Sequence, residues 1–287
     1  MTGDSVQPMG AAGDGGEGAD NRPGMSVEAY LDRIGLTPER VESTDPETLA
    51  RLQRAHVLAV PFENLGIVSD PAGSWNPSGI DLSLDAIYEK VVGRGRGGYC
   101  FELNGLFNWL LRELGFDADR VAARVTNDGT ARPPANHHTN AVELDQRYIV
   151  DVGLGTPMMR QPTPLDGTPR TDEVGISWRV AESDRPDVTY CTQHRSAETA
   201  EWSTRYVFSD VPRDLGYFEA TNDFLQSAPE SPFTGAPVAA TATEDGHLKL
   251  SGETLTESTA TGEKERTVSD DAWLETLHRE FGLAPDE

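Results

Sequence analysis

The stretch Arg94-Gly95-Arg96-Gly97-Gly98-Tyr99-Cys100-Phe101-Glu102-Leu103-Asn104 carries a cysteine out of a glycine-rich turn onto the start of an apolar segment. A thiol at a helix start faces unpaired backbone N–H groups, which favour its thiolate and can also hold a developing oxyanion. Arg96 adds positive charge nearby. Such settings lower a cysteine pKa by about one unit or more from ~8.5. The competing reading is a buried cysteine at a helix start that does no chemistry.

A thiolate nucleophile needs an imidazole to take its proton, and the imidazole needs an acceptor that fixes its tautomer. Both follow in order along the chain. His137 and His138 precede one strand-like run, and Asp151 lies in the next, within Tyr148-Ile149-Val150-Asp151-Val152-Gly153-Leu154-Gly155. A hairpin sets two such runs side by side, and an Asp inside an apolar strand implies a partner. Cys100, one of the two histidines and Asp151 are therefore the candidate catalytic residues. Spacing alone leaves His137 and His138 as alternatives, because neighbours on a strand face opposite ways. For the same reason a metal shared by His137, His138 and Asp151 is disfavoured, and no metal is expected. Gly93, Gly95, Gly97 and Gly98 crowd like a phosphate loop, but the Gly-Lys-Ser/Thr ending is missing and a helix precedes them. His56 reads as a core residue on an apolar helical face, while His194, His247 and His278 lie in polar settings. Cys191 falls in the strand-like run Val188 to His194 and reads as a small buried hydrophobe.

These residues need a scaffold, and periodicity outlines one. A helix is predicted behind Ser26, with Val27, Tyr30, Leu31 and Ile34 on one face, and a second from Pro46 with Leu49, Leu52 and His56. A third follows Ser83 through Leu84, Ile87, Tyr88 and Val91, and a fourth runs from Cys100 to Leu114, stopped by Gly115. Beyond Gly115 the texture changes to short β-branched and aromatic runs over 120–125, 140–144, 147–154, 176–181 and 204–208, which indicate a sheet or barrel. A hairpin at Asp245-Gly246 and a closing helix with Trp273, Leu274, Leu277 and Phe281 inward come last. The expected partition is a disordered tail over 1–24, a helical domain over 25–115 carrying Cys100, a β-barrel domain over 116–213 carrying the His and Asp, and an α/β lid over 214–287.

Acidic residues outnumber basic ones 48 to 24, for a net charge of −24, and the only lysines are Lys90, Lys249 and Lys264. Such a surface repels nucleic acid. It suits high internal salt, which screens self-repulsion, so a halophilic source is expected. No apolar run approaches the roughly 18 residues of a membrane span, and no basic segment leads into an apolar one at the start. With two cysteines and no C-x-x-C pair, neither a disulfide framework nor a zinc site is indicated. A soluble protein of the reducing cytoplasm, with no membrane partner, is the expectation.

From Met25 to Leu283 the chain resembles the arylamine N-acetyltransferase family. Ala59-Val60-Pro61-Phe62-Glu63-Asn64-Leu65 is similar to the family's VPFENL segment, Arg96 to Asn104 to its RGGYCFELN nucleophile motif, and Val150 to Gly155 to its VDVGFG motif. Ser231-Pro232-Phe233 after Phe218-Glu219 is similar to the stretch that opens the family's third domain. The resemblance implies an α+β multidomain fold: a helical bundle, a β-barrel and an α/β lid around a Cys-His-Asp core of papain and transglutaminase type. It implies a ping-pong reaction in which Cys100 takes acetyl from acetyl-CoA and passes it to an aromatic amine or hydrazine, with no tightly bound cofactor. By the same likeness Phe62 and Phe101 would line the acceptor pocket, while residues binding CoA are not identified. The family usually reads Thr-His followed by apolar residues where this chain reads Asn136-His137-His138-Thr139-Asn140. Aligning Val142-Glu143-Leu144-Asp145 with the family's strand selects His137, with a one-residue deletion in the turn. An anionic CoA would also need local arginines or high salt to offset the overall charge.

Two other classes compete. A transglutaminase-like or papain-like cysteine hydrolase, or an acyltransferase with another acyl donor, also uses Cys, His and Asp in that order. The Phe62-Glu63-Asn64 segment and the long third part argue against the hydrolase. A binding module that retains the fold is the third, and the presence of all three triad residue types argues against it. Neither the physiological acceptor nor the oligomeric state is set by the sequence.

Overall fold

The computed structural model describes residues 24–126, 132–196, 199 and 201–285; the tail expected over 1–24 lies outside them except for Gly24. Helix α1 (Val27–Arg33) begins where Ser26 Oγ accepts the Ala29 N–H at 3.2 Å, and α2 (Pro46–Ala59) where Asp45 accepts the Thr48 N–H at 2.7 Å. These caps satisfy N–H groups that a helix start leaves open, and Pro46 sits in the first turn, where its missing N–H removes no bond. After β1 (Phe62–Glu63), helix α3 (Leu84–Tyr88) continues as a π-helical turn over Glu89–Gly93 and delivers the chain to the glycine-rich loop.

Helix α4 (Cys100–Glu113) is the centre of the molecule. Its apolar spacing predicts one buried face, yet every residue from Cys100 to Leu111 is buried. The bundle covers Leu103, Leu106, Phe107 and Leu110, each fully buried apolar side chain contributing roughly 1.5–3 kcal/mol. Strands of the barrel cover the opposite side. Asn104 and Asn108 are accommodated there because Asp151 and the Ala118 carbonyl partner them, and Glu102, on the side of the π-helical turn, because Lys90 does.

The barrel is an antiparallel sheet of β2 (Asp117–Val125), β3 (His137–Glu143), β4 (Arg147–Val150), β5 (Thr163–Pro164), β6 (Arg170–Thr171), β7 (Ser177–Glu182), β8 (Tyr190–Arg195) and β9 (Ser203–Pro212). The strand order is β5-β4-β3-β2-β9-β8-β7-β6, and β5 returns against β7, so the sheet nearly closes on itself. Val121, Ile149, Trp178, Val180, Tyr206 and Phe208 fill its interior. Cys191 is buried in β8, as expected of a strand thiol.

After α5 (Glu219–Ser227), a second sheet forms from β10 (Val238–Thr243), β11 (Gly246–Ser251), β12 (Thr254–Thr259) and β13 (Gly262–Thr267). Helix α6 (Asp270–Phe281) packs Trp273, Leu277 and Phe281 against its Ala239, Leu250 and Leu255. The edge strand opposite β13 is β1, paired Phe62↔Ala240 and Glu63↔Ala239. A segment from among the early helices thus completes the last sheet. No helix among the described residues is long and apolar enough to cross a membrane.

His56 is a core residue, as its helical face predicts, packed edge-on against Tyr30 and Phe107 with neither ring nitrogen hydrogen-bonded among the described residues. Burial, aided by the Arg33 charge, pushes its pKa down to about 3. The unfolded chain takes up a proton near the ordinary value of 6.5, which the folded chain refuses until about 3. Its contribution to stability is therefore complete above pH 6.5 and falls as the pH drops through that window. We expect His56→Phe to remove a slope of about 1.4 kcal/mol per pH unit from unfolding free energies measured in urea below that pH. An unaltered slope would show that this imidazole is not held neutral. His247 differs from its expected polar setting: it is buried, and its Nε2 accepts the Met158 N–H at 3.2 Å.

Candidate active site

The loop before Cys100 is stitched to β1. Glu63 N–H donates to the Gly98 carbonyl at 2.9 Å and Gly98 N–H to the Pro61 carbonyl at 3.3 Å. A Cβ at Gly97 would run into the Pro61 carbonyl and Glu63 Cγ, so the approach needs a glycine. From below, Arg33 donates to the carbonyls of Ala59 at 2.7 Å and Gly95 at 3.2 Å. The loop ends at Cys100, the first residue of α4, where Glu102 accepts the Tyr99 N–H at 3.0 Å.

Histidine and aspartate come from the barrel. His137 opens β3, and β4 ends at Val150, short of the run predicted over 147–154, so Asp151 is the first residue after the strand rather than inside it. His137 Nε2 lies 2.7 Å from Asp151 Oδ2, with both side chains at most 2% exposed. Asn104 Nδ2 at 2.8 Å and Gly153 N–H at 3.0 Å donate to the other carboxylate oxygen. Asn104 also donates to the His138 carbonyl at 2.7 Å and accepts the Val152 N–H at 2.9 Å. One side chain, a turn beyond Cys100 on α4, therefore ties the helix to both strands. A Cβ on Gly153 would stand 2.8 Å from Cys100 Cα, so only glycine lets the Asp151 turn approach the helix start. The Cys100 sulfur rests 3.9 Å from the carbonyl of Asn136, the residue before His137.

Charge and burial define what this arrangement does. Burial works against an ionised Asp151, but His137, Asn104 and Gly153 together hold its pKa below the usual value. An ionised carboxylate only accepts hydrogen bonds, so His137 Nε2 carries a proton and Nδ1 is left to accept one. Burial pushes the Cys100 thiol pKa up, and Asp151 adds to this, while the Phe101 and Cys100 N–H groups oppose it. Burial and Asp151 thus work against the thiolate that the helix start favours. Arg96 does not supply the missing charge either: it pairs with Glu63 at 2.8 Å and lies over the Trp75 ring at 4.2 Å.

His138 faces the other way. Its ring packs edge-on against Phe218 at 4.7 Å and Phe101 at 5.8 Å, and neither nitrogen has a hydrogen-bond partner among the described residues. Burial first, and His137 second, push its pKa well below the ordinary value. Phe101 and Phe62 both belong to one aromatic wall. Phe101 meets Tyr99 at 5.4 Å, Tyr99 meets Phe233 at 5.3 Å, and Phe233 meets Phe62 at 6.2 Å. Sequence reading did not single out Tyr99, Phe218, Asn104 or Gly153; the motifs contain them, but their roles depend on contacts between distant elements. A cleft of about 910 Å³ lies at the far end of α4, lined by Trp109, Arg112, Phe116, Arg120 and Leu215 among others, and none of the candidate residues borders it. No group of three or more His, Cys, Asp or Glu residues among the described residues is placed to hold a metal ion.

The chain is similar to known proteins over most of its length. The family model for N-acetyltransferases matches residues 45–286. An arylamine N-acetyltransferase of Mycolicibacterium smegmatis is 33% identical over 238 residues, 80% of this chain and 82% of that one. Arylamine N-acetyltransferase 1 of Homo sapiens is 33% identical over 250 residues, 81% of this chain and 83% of that one. The structure of the Mycobacterium marinum arylamine N-acetyltransferase in complex with CoA superposes with a TM-score of 0.76 at 31% identity, covering 90% of this chain and 92% of that one. Together with the fold and the buried His137–Asp151 pair beside Cys100, these matches establish that the chain belongs to the arylamine N-acetyltransferase family.

Proposed function

We propose that this protein transfers acetyl from acetyl-CoA to an aromatic amine or hydrazine, with Cys100 as nucleophile, His137 as base and Asp151 as the group that orients it. The observation that carries the residue roles is the His137–Asp151 hydrogen bond, held by Asn104 against the first turn of the helix that Cys100 begins. The imidazole takes the thiol proton, and the sulfur attacks the thioester carbonyl. CoA leaves as a thiol, taking that proton back. The amine then attacks the acetyl-enzyme and gives its proton to the same imidazole; the carbon–sulfur bond breaks, the amide departs, and the imidazole returns the proton to the Cys100 sulfur. Because the buried thiol resists ionising alone, the sulfur and imidazole act as one unit.

Phe62 and Phe101, with their aromatic neighbours, suit a planar acceptor. The scarcity of lysine and the net charge of −24 support a salt-rich cytoplasm as the working environment. Acetyl-CoA serves as a substrate in this reading, and no bound cofactor is required. Incubation with acetyl-CoA, followed by intact-mass measurement, is expected to show one acetyl group on Cys100, discharged by an added arylamine. An adduct that water removes as fast as the arylamine would favour the hydrolase reading, and no adduct would defeat transfer from this donor.

A further inference from the structure

Four buried ionic side chains stand beside the nucleophile loop without a part in that chemistry: Glu63, Lys90, Arg96 and Glu102. Lys90, on the π-helical turn, places Nζ 2.7 Å from Glu102 Oε1 and 3.4 Å from Glu63 Oε1, while Arg96 reaches Glu63 Oε1 at 2.8 Å. The remaining carboxylate oxygens hold the backbone: Glu102 takes the Tyr99 N–H at 3.0 Å and Glu63 takes the Leu65 N–H at 2.6 Å. The two cations balance the two anions. Apolar packing of the same volume would serve stability as well as a buried ion network does, so a need for specific charge is the better account of it.

We infer that Lys90 is a positioning residue for the nucleophile: through Glu102 it holds the Tyr99–Cys100 helix start, and it cancels the negative charge that the buried carboxylate would otherwise place beside the thiol. The inference rests on the reading of Cys100 as nucleophile. The ionisable groups around Cys100 are Glu102 on its own helix, Tyr99 before it, His137 on β3, Asp151 after β4, and Lys90, Arg96 and Glu63 behind the loop. Asp151 and Glu102 both oppose the thiolate. Asp151 is held by hydrogen bonds from His137, Asn104 and the Gly153 N–H, whereas Glu102 has the charge of Lys90 against it.

The test uses the full chain with Cys191→Ala, so that iodoacetamide reports on Cys100 alone, and follows the alkylation rate across neutral pH. In Lys90→Met the midpoint of the profile is expected to rise by about one pH unit, so that the rate near pH 7 falls about tenfold. Lys90→Met combined with Glu102→Gln is expected to recover to within about threefold of the parent, since the glutamine carbonyl still accepts the Tyr99 N–H without a charge. A folded Lys90→Met variant with an unshifted profile, or a double variant as slow as the single one, would overturn the inference. If Lys90→Met does not fold, the double variant decides: a parental profile supports charge balance, and failure to fold refutes it. Absence of an acetyl adduct on the parent would remove the proposed function and leave this comparison intact.

Discussion

Replacing Cys100 by alanine is expected to abolish acetyl transfer, by at least about 10⁴-fold, while the protein stays folded. The thiol is small, and its contact with the Asn136 carbonyl is long at 3.9 Å, so little packing is lost with it. The chemistry has no substitute: Cys191, the other thiol, is on β8 within reach of the Glu182 carbonyl and away from His137 and Asp151. Cys191→Ala should leave turnover unchanged. Steady-state assays with acetyl-CoA and a simple arylamine, alongside thermal melts, check both variants. Substantial turnover in Cys100→Ala would sink the mechanism.

A comparable loss, on the order of 10³–10⁴-fold, is expected for Asp151→Asn and for His137→Gln. In Asp151→Asn the amide can donate where the carboxylate accepted, which turns the His137 tautomer and puts a proton on the nitrogen that must receive one. Alkylation of Cys100 near neutral pH should fall in parallel, because the thiol is pushed up by its burial and depends on the imidazole to ionise. His138→Phe, which keeps a ring between Phe101 and Phe218, should alkylate close to the parental rate. A dead His138 variant beside an active His137 variant would keep the triad and shift its histidine by one residue.

The nucleophile motif, the order of the triad residue types and the helix starts at Ser26, Pro46 and Cys100 were legible in the sequence, because caps and apolar spacing are encoded within a turn or two of chain. The hairpin that carries His137 and Asp151 was legible for the same reason. Residue types alone left His137 and His138 equivalent; their separation is tertiary, because it depends on which face of β3 meets Asp151 and which meets Phe218. β1 was invisible as a strand, since two residues acquire that form only by pairing with β10, far along the chain. β12 and β13 were missed because their sequences are polar and β13 is exposed throughout, so alternation gives no signal. Local and tertiary features pull the Cys100 thiol in opposite directions. A helix start and a nearby arginine are local features that favour thiolate, but burial, Asp151 and the capture of Arg96 by Glu63 come from elements distant along the chain. Types and order of reactive groups are written along the chain; the burial and pairing that set their charge arise only when distant segments close around them.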